Sequence, residues 1–399
     1  MKGIPEIRFN KYSEKWESLN AGTLFYPVTD KGYPELPVLS ASQEEGMIPR
    51  KDIGINMSYS RKNVGGYKRV LPGDFVVHLR SFQGGFAHSA SEGITSPAYT
   101  VLRLNKERNQ DDNFWKHYMT SMNFIDSLRI VTYGIRDGRN INVSEFLDTN
   151  LIFPKDKQEQ TAIGKFFDDL DEYISSQALE LQKLKNIKKA CLEKMFPKEG
   201  ELVPEIRFDG FEGNWEKKPA KKLFSLYSDK GYPSLPVLSA SQEEGMILRN
   251  DVGFNMSYNK ENIISYKRVR PGQFVIHLRS FQGGFAHSDL EGITSPAYTI
   301  FGLRDVDNHD DHFWGIYFTS KSFIKRLEKV TYGIRDGRSI SVDGFMNLDM
   351  TYPSTKEEQS NIAKFFSRLD VHIKAMSDKL DKLKQIRKGL LEKMFIANN

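Results

Sequence analysis

The feature that most limits what this 399-residue chain can fold into is an internal repeat, because one offset of 199 positions aligns it with itself from end to end. PEIRF begins at 5 and 204, LPVLSASQEEGMI at 36 and 235, and HLRSFQGGFAHS at 78 and 277. EGITSPAYT at 92 and 291, VTYGIRDGR at 131 and 330, and LEKMF at 192 and 391 keep the same offset. A solenoid repeat is roughly 20–50 residues long, so this is a duplicated unit of domain size. Each copy is long enough to bury a core of its own.

Each copy divides into two regions of different character. The first, 1–155 and again 199–354, is rich in Gly, Pro, β-branched and aromatic residues and is expected to be a mixed α/β globule. Its candidate strands are PVLSAS, FVVHLRSF and AYTVLRL. A helix is expected from Phe114 to Arg129, where Trp115, Tyr118, Met119, Met122 and Ile125 recur at helical spacing.

The second region, 156–198 and 355–399, carries a coiled-coil seam. Ile163, Phe167, Leu170, Ile174, Leu181, Leu184, Cys191 and Met195 follow steps of four and three, with polar gaps at Gln177 and Lys188. The second seam runs Ile362, Phe366, Leu369, Ile373, Met376, Leu380, Leu383, Leu390 and Met394, with its gap at Arg387. Asp156 with Glu159, and Thr355 with Glu358, have capping-box spacing at the helix starts, and Pro197 ends the first helix. Acidic residues gather near the start of the first helix and lysines near its end, so an antiparallel pair would set acid against base.

Composition narrows the class. No apolar run reaches the ~20 residues of a membrane span and MKGIPEIRF lacks a signal-peptide core, so a cytoplasmic protein is expected. A single cysteine, Cys191, excludes an internal disulfide or a thiolate metal cluster, and it is expected to be a small buried hydrophobe. The net charge of +5 is modest, but residues 61–80 hold five basic side chains against one acidic, a net of +4, and 260–279 repeat that balance. Two equal basic segments suggest two equal anionic contacts.

The order globule, long helix, globule, long helix, with each helix opening on a proline and then Glu159-Gln160 or Glu358-Gln359 and closing on LEKMF, resembles the specificity subunit of type I restriction-modification enzymes over the whole chain. The resemblance implies an α+β protein: two similar mixed α/β target-recognition domains separated by two long antiparallel coiled-coil helices, in a pseudo-twofold symmetric monomer. It further implies that each domain reads half of a bipartite site in double-stranded DNA and that the helices dock two adenine methyltransferase subunits. Those subunits would carry S-adenosylmethionine, and two restriction/translocase subunits using ATP and Mg could join through them. No cofactor is expected in this chain. Recognition domains in the family usually differ from each other; here they are nearly the same, which points to an interrupted inverted repeat.

Candidate DNA-binding residues follow from side-chain chemistry. Arg80 and Gln83, with Arg279 and Gln282, lie beside Gly-Gly pairs, and Arg suits guanine as Gln suits adenine in the major groove. Arg136 and Arg139, with Arg335 and Arg338, flank an Asp-Gly turn and suit phosphate. Ser42 and Gln43, with Ser241 and Gln242, sit beside paired glutamates that can accept from cytosine or simply face water. Lys68 and Arg69, with Lys267 and Arg268, are candidate phosphate clamps or a solvated face. His78 and His88, ten residues apart, lack a supporting acidic or cysteine cluster, so no metal site is expected.

Two other function classes remain to be weighed. An adenine methyltransferase of this kind needs an Asn/Asp-Pro-Pro-aromatic motif, and the chain has no Pro-Pro. A motor needs G-x-x-x-x-G-K-[ST], but the one Gly-Lys pair, Gly164-Lys165, precedes Phe166 inside a helix. The chain is therefore expected to be non-catalytic. The alternative is a basic coiled-coil scaffold or protein-interaction module with no sequence-specific reading of DNA.

Overall fold

The computed structural model describes residues 3–42, 45–53, 61–78, 85–128, 132–133, 140–241, 244–251, 260–277, 284–332 and 339–396. The chain forms two compact units, and their boundaries cut through the long helices: Met1–Ala178 with Asp378–Asn399 is one, Leu179–Ser377 the other. Each unit thus holds one globular domain, the opening part of the helix that follows it and the closing part of the other long helix.

In the first unit a four-stranded antiparallel sheet runs in the order Phe25–Val28, Thr100–Leu104, Phe75–Val77, Phe86–His88. The central strand is apolar throughout because both its faces are covered. Phe75 and Val77 enter the main core, and Val76, on the other face, enters a smaller cluster with Leu39, Met47, Val70, Ala87 and Val101. Among the described residues four two-stranded ladders accompany it: Glu17–Asn20 with Asn150–Phe153, Leu39–Ser42 with Gly46–Pro49, Lys68–Val70 with Gly93–Thr95, and Thr132–Tyr133 with Asn140–Ile141. The second unit repeats this plan, its main sheet running Phe224–Tyr227, Thr299–Leu303, Gln273–Ile276, Phe285–Ser288. The three expected strands are all present, although FVVHLRSF is strand only over Phe75–Val77 among the described residues.

The helix expected from Phe114 to Arg129 is two helices, Asp112–Tyr118 and Met122–Ser127. The break lies at Thr120-Ser121. Ser121 takes an extended conformation (φ −71°, ψ 142°), its hydroxyl accepts from the Phe124 amide, and it donates to the Tyr118 carbonyl. A serine that satisfies backbone groups on both sides outcompetes continuation of the helix, and the break changes which residues face inward: Phe124 and Leu128 join Trp115, Tyr118 and Met119 in the core, while Met122 is exposed.

The long helices span Lys157–Lys194 and Lys356–Met394, roughly 57 Å each at ~1.5 Å per residue. Within each unit their parts run antiparallel. In the first, Phe395 stacks on Phe167 (centroids 5.7 Å), Arg387 binds Asp171 and Lys379 donates to Gln177 Oε1 (2.7 Å), so one number falls as the other rises. In the second, Phe196 meets Phe366 and Lys188 binds Asp370. The gaps read in the seam at Gln177, Lys188 and Arg387 are therefore occupied by polar contacts between helices. Among the described residues no helix is long and apolar enough to cross a membrane.

One capping expectation is half overturned. Asp156 caps the first helix through the Gln158 amide (2.8 Å), and Thr355 caps the second through the Glu358 amide (3.4 Å). The glutamates do not close the box. Glu159 is buried and accepts two bonds from Arg8 (2.7 and 2.8 Å) and one from Trp16 Nε1 (3.2 Å). Glu358 does the same with Arg207 and Trp215. A charged, bidentate partner is a stronger competitor than one backbone amide.

Candidate nucleic-acid interface

The site residues expected from sequence fall into two groups. Gln43, Arg80, Gln83, Arg136, Arg139, Gln242, Arg279, Gln282, Arg335 and Arg338 lie outside the described residues. Ser42, Lys68, Arg69, Ser241, Lys267 and Arg268 lie within them.

The residues that flank these segments are described, and two of the flanks are neighbours. Gly46–Pro49 runs parallel to Phe86–His88, joined by a bridge between Met47 and Ser89, so the strand ends adjoining residues 43–44 and 79–84 point the same way. Gly46 makes this contact possible. At φ +75° its Cα faces the His88 carbonyl so closely that a Cβ would lie 2.3 Å from that oxygen, and Gly245 repeats the arrangement against His287 at 2.4 Å. Ser42 Oγ accepts from the Glu45 amide (3.3 Å), and Ser241 from Glu244 (3.2 Å), which fixes the hairpin flank. His78 N donates to Gly85 O (3.1 Å), tying together the two ends of the Arg80 segment. The third segment is held by Thr132–Tyr133 paired with Asn140–Ile141.

Lys68 and Arg69 are adjacent on one strand and behave differently. Arg69 is committed: it binds Glu92 and Asp30 and lies over the Tyr33 ring at 4.4 Å. Arg268 has the same set in Glu291, Asp229 and Tyr232. Lys68 donates to the Tyr99 carbonyl (2.6 Å) and pairs across a β-bridge with exposed Lys31. Burial and then the Lys31 charge push the Lys68 ammonium below the ordinary lysine range, and Lys267 beside Lys230 repeats this. Two ammonium groups side by side repel, and an anion laid against them relieves that repulsion. Arg69 and Arg268 are thus braces within their own domains, while each lysine pair carries two like charges that no carboxylate offsets among the described residues. The sequence reading missed Lys31 and Lys230, although their equivalence under the 199 offset was available as a signal.

Each copy is thus a mixed α/β domain with basic strands and hairpins, braced on two stretches of long antiparallel helix. Solved structures share that construction. The S subunit of a type I restriction-modification system from M. genitalium matches over 98% of this chain and 99% of its own, with a TM-score of 0.58 at 14% identity. A structure described as the basis of complex assembly and conformational transition of the type I R-M system matches over 96% and 98%, with a TM-score of 0.56 at 15% identity. What is shared at that identity is the fold. No protein-family model matches the sequence, and no curated protein matches it at a significant level.

Proposed function

We propose that this chain is the non-catalytic DNA-recognition subunit of a type I restriction-modification complex. On this reading 1–155 and 199–354 are target-recognition domains, and 156–198 and 355–399 are spacer helices that dock two adenine methyltransferase subunits. S-adenosylmethionine belongs to those partners, and ATP and Mg to two restriction subunits recruited through them. The observation that carries the reading is the end-to-end sharing of fold with an S subunit, by a chain whose two domains repeat the same basic segments. Like readers call for like half-sites, so the target is an interrupted inverted repeat.

The test is to co-express the chain with its methyltransferase and map every methylated adenine. The expected product is an inverted repeat modified in both halves, and an asymmetric site would refute the equivalence of the two readers. No methylation from an assembled, cofactor-loaded complex would move the protein-interaction scaffold to the front. Arg80→Ala with Arg279→Ala is expected to weaken site recognition by at least ~10-fold, since one bidentate arginine contact discriminates by about 1–3 kcal/mol. Unchanged selectivity in that double variant would remove this segment from the interface.

A further inference from the structure

The second unit contains a cluster that has no equivalent among the described residues of the first. His287, on the strand Phe285–Ser288, and Asp311 and His312, in the first turn of the helix Asp311–Tyr317, place one ligand atom each within 4.8 Å of one another. Asp289, in the bend after that strand, stands beside the other ring nitrogens of the two histidines. His287 Nε2 lies 2.7 Å from Asp311 Oδ2, His312 Nε2 3.2 Å from Asp289 Oδ1, and His312 Nδ1 3.5 Å from Asp311 Oδ2. His287 Nδ1 is 3.7 Å from Asp289 Oδ1, and the two imidazoles stand 4.8 Å apart.

We infer that His287, Asp311 and His312 form a three-ligand binding site for one late first-row divalent ion, of the zinc class, in the second domain, with Asp289 holding the opposite ring nitrogens of the two imidazoles as the orienting carboxylate. Ligand atoms held about 2.0–2.2 Å from a tetrahedral ion lie roughly 3.4 Å from each other, and Asp311 Oδ2 stands 2.7 Å from His287 Nε2 and 3.5 Å from His312 Nδ1 in a group whose ligand atoms all lie within 4.8 Å. Two imidazoles with one carboxylate and a position open to solvent suit zinc, cobalt or nickel, whereas magnesium and calcium favour an all-oxygen shell. Asp311 and Asp289 together cancel the charge of the ion. His312 and Asp289 are exposed, so an ion reaches the group from solvent, while the largely buried His287 anchors it. Gly315 keeps that anchor in place, since a Cβ there would come within 3.3 Å of His287 Cβ.

The first unit supplies the control. His88 and Asp112 keep their bond (3.0 Å), but Asn113 and Ala90 stand where the second unit has His312 and Asp289. A bound ion would link the strand end to the helix start in one domain and leave the other as it is.

The experiment is titration of the full chain with Co²⁺ at pH 8, read by the visible absorption of the ion in a protein site, followed by displacement with Zn²⁺. One equivalent is expected to bind. His312→Asn with Asp289→Ala, the residues of the first unit at exposed positions, should abolish it, and Asn113→His with Ala90→Asp should raise the stoichiometry to two. At an ion concentration of 100 Kd, opening of the second domain in hydrogen exchange should slow about 100-fold, with the first unchanged. Absence of binding overturns the inference, as does binding retained by the His312/Asp289 variant or competed away by an equal concentration of Mg²⁺.

Discussion

In the first unit Asp74 is almost wholly buried and takes two bonds from Arg103, each 2.7 Å, besides one from the Leu71 amide (2.7 Å). The second unit has Gln273 and Gly302 at those places. Gln273 keeps the amide bond, from Arg270 N at 2.9 Å, and the room left by the missing arginine is taken by Gln273 and Tyr227, which come within 3.3 Å of where a Gly302 Cβ would be. The same happens elsewhere. Lys116 and His117 bind Asp168 in the first unit (2.7 and 2.9 Å), and the second has Gly315, Ile316 and Ser367 instead. The copies have thus diverged by sets: a charged network was exchanged as a whole for a neutral or smaller one, with the backbone kept. A difference such as Asp74 against Gln273 is absorbed inside its own unit, so on the proposed reading it gives no reason for the two domains to differ in target.

What did not diverge is the junction of the N-terminal segment with the helix start. Arg8, Trp16 and Glu159 and their equivalents Arg207, Trp215 and Glu358 make the same bonds at matching distances, with the arginine and glutamate side chains nearly closed to solvent. The sharpest break in the comparison should come here. Glu159→Gln leaves a buried guanidinium without its counter-charge, which costs about 3–5 kcal/mol. Hydrogen exchange resolved by segment should show that loss in the first unit alone, and Glu358→Gln should confine it to the second. Equal loosening of both units by either variant would contradict their independence.

Much of this was legible in the sequence, and the misses have physical causes. The repeat foretold two like domains, and the seam foretold both long helices, down to the polar gaps that Gln177, Lys188 and Arg387 fill. Glu159 satisfied the local spacing of a capping box, but a partner 151 residues away was a better one, and local pattern carries no information on that distance. The division of the units was missed because it joins distant segments. PEIRF and LEKMF are retained in both copies, and the structure brings them together: Ile7 N donates to Lys393 O (3.1 Å) and Ile206 N to Lys194 O (2.9 Å). Gly164, which could be read only as a failed motor motif, allows close helix packing, since a Cβ there would lie 2.9 Å from Phe114 N. The second-domain histidine cluster was not legible because His312 and Asp289 have no counterparts in the first copy and His287 and His312 stand far apart in the chain.

A smaller effect is expected at the exchanged pair. Asp74→Gln alone leaves Arg103 without its carboxylate and should destabilise the first unit by about 2 kcal/mol, the scale of hydrogen bonds to a charged group. Adding Arg103→Gly recreates the arrangement of the second unit and should bring stability back to within about 1 kcal/mol of the parent, the remainder being the strand glycine. Urea unfolding of the parent, the two single variants and the double variant measures the coupling. Additive losses would mean that the two positions changed independently.

The smallest effect is a slope with pH. The His117 side chain is 1% exposed, and burial lowers its pKa more strongly than the Asp168 carboxylate raises it. Below about pH 6.5 the unfolded chain therefore takes up a proton that the folded chain refuses, and stability falls with acidification until the folded pKa is reached. One proton limits this to about 1.4 kcal/mol per pH unit. Asp168, held at about 2 although burial alone would raise it, stays charged across this range, because its own contribution is lost only as the pH falls through that value. The second unit has Ile316 in place of His117, yet it has its own half-buried imidazole, His309, also lowered by desolvation and standing where the first unit has Gln110. Exchanging each for its counterpart separates the two: His117→Ile should flatten the decline between pH 6.5 and 5.5 in the first unit only, and His309→Gln in the second only. A slope in the first unit that survives His117→Ile would mean that the buried imidazole is not what refuses the proton.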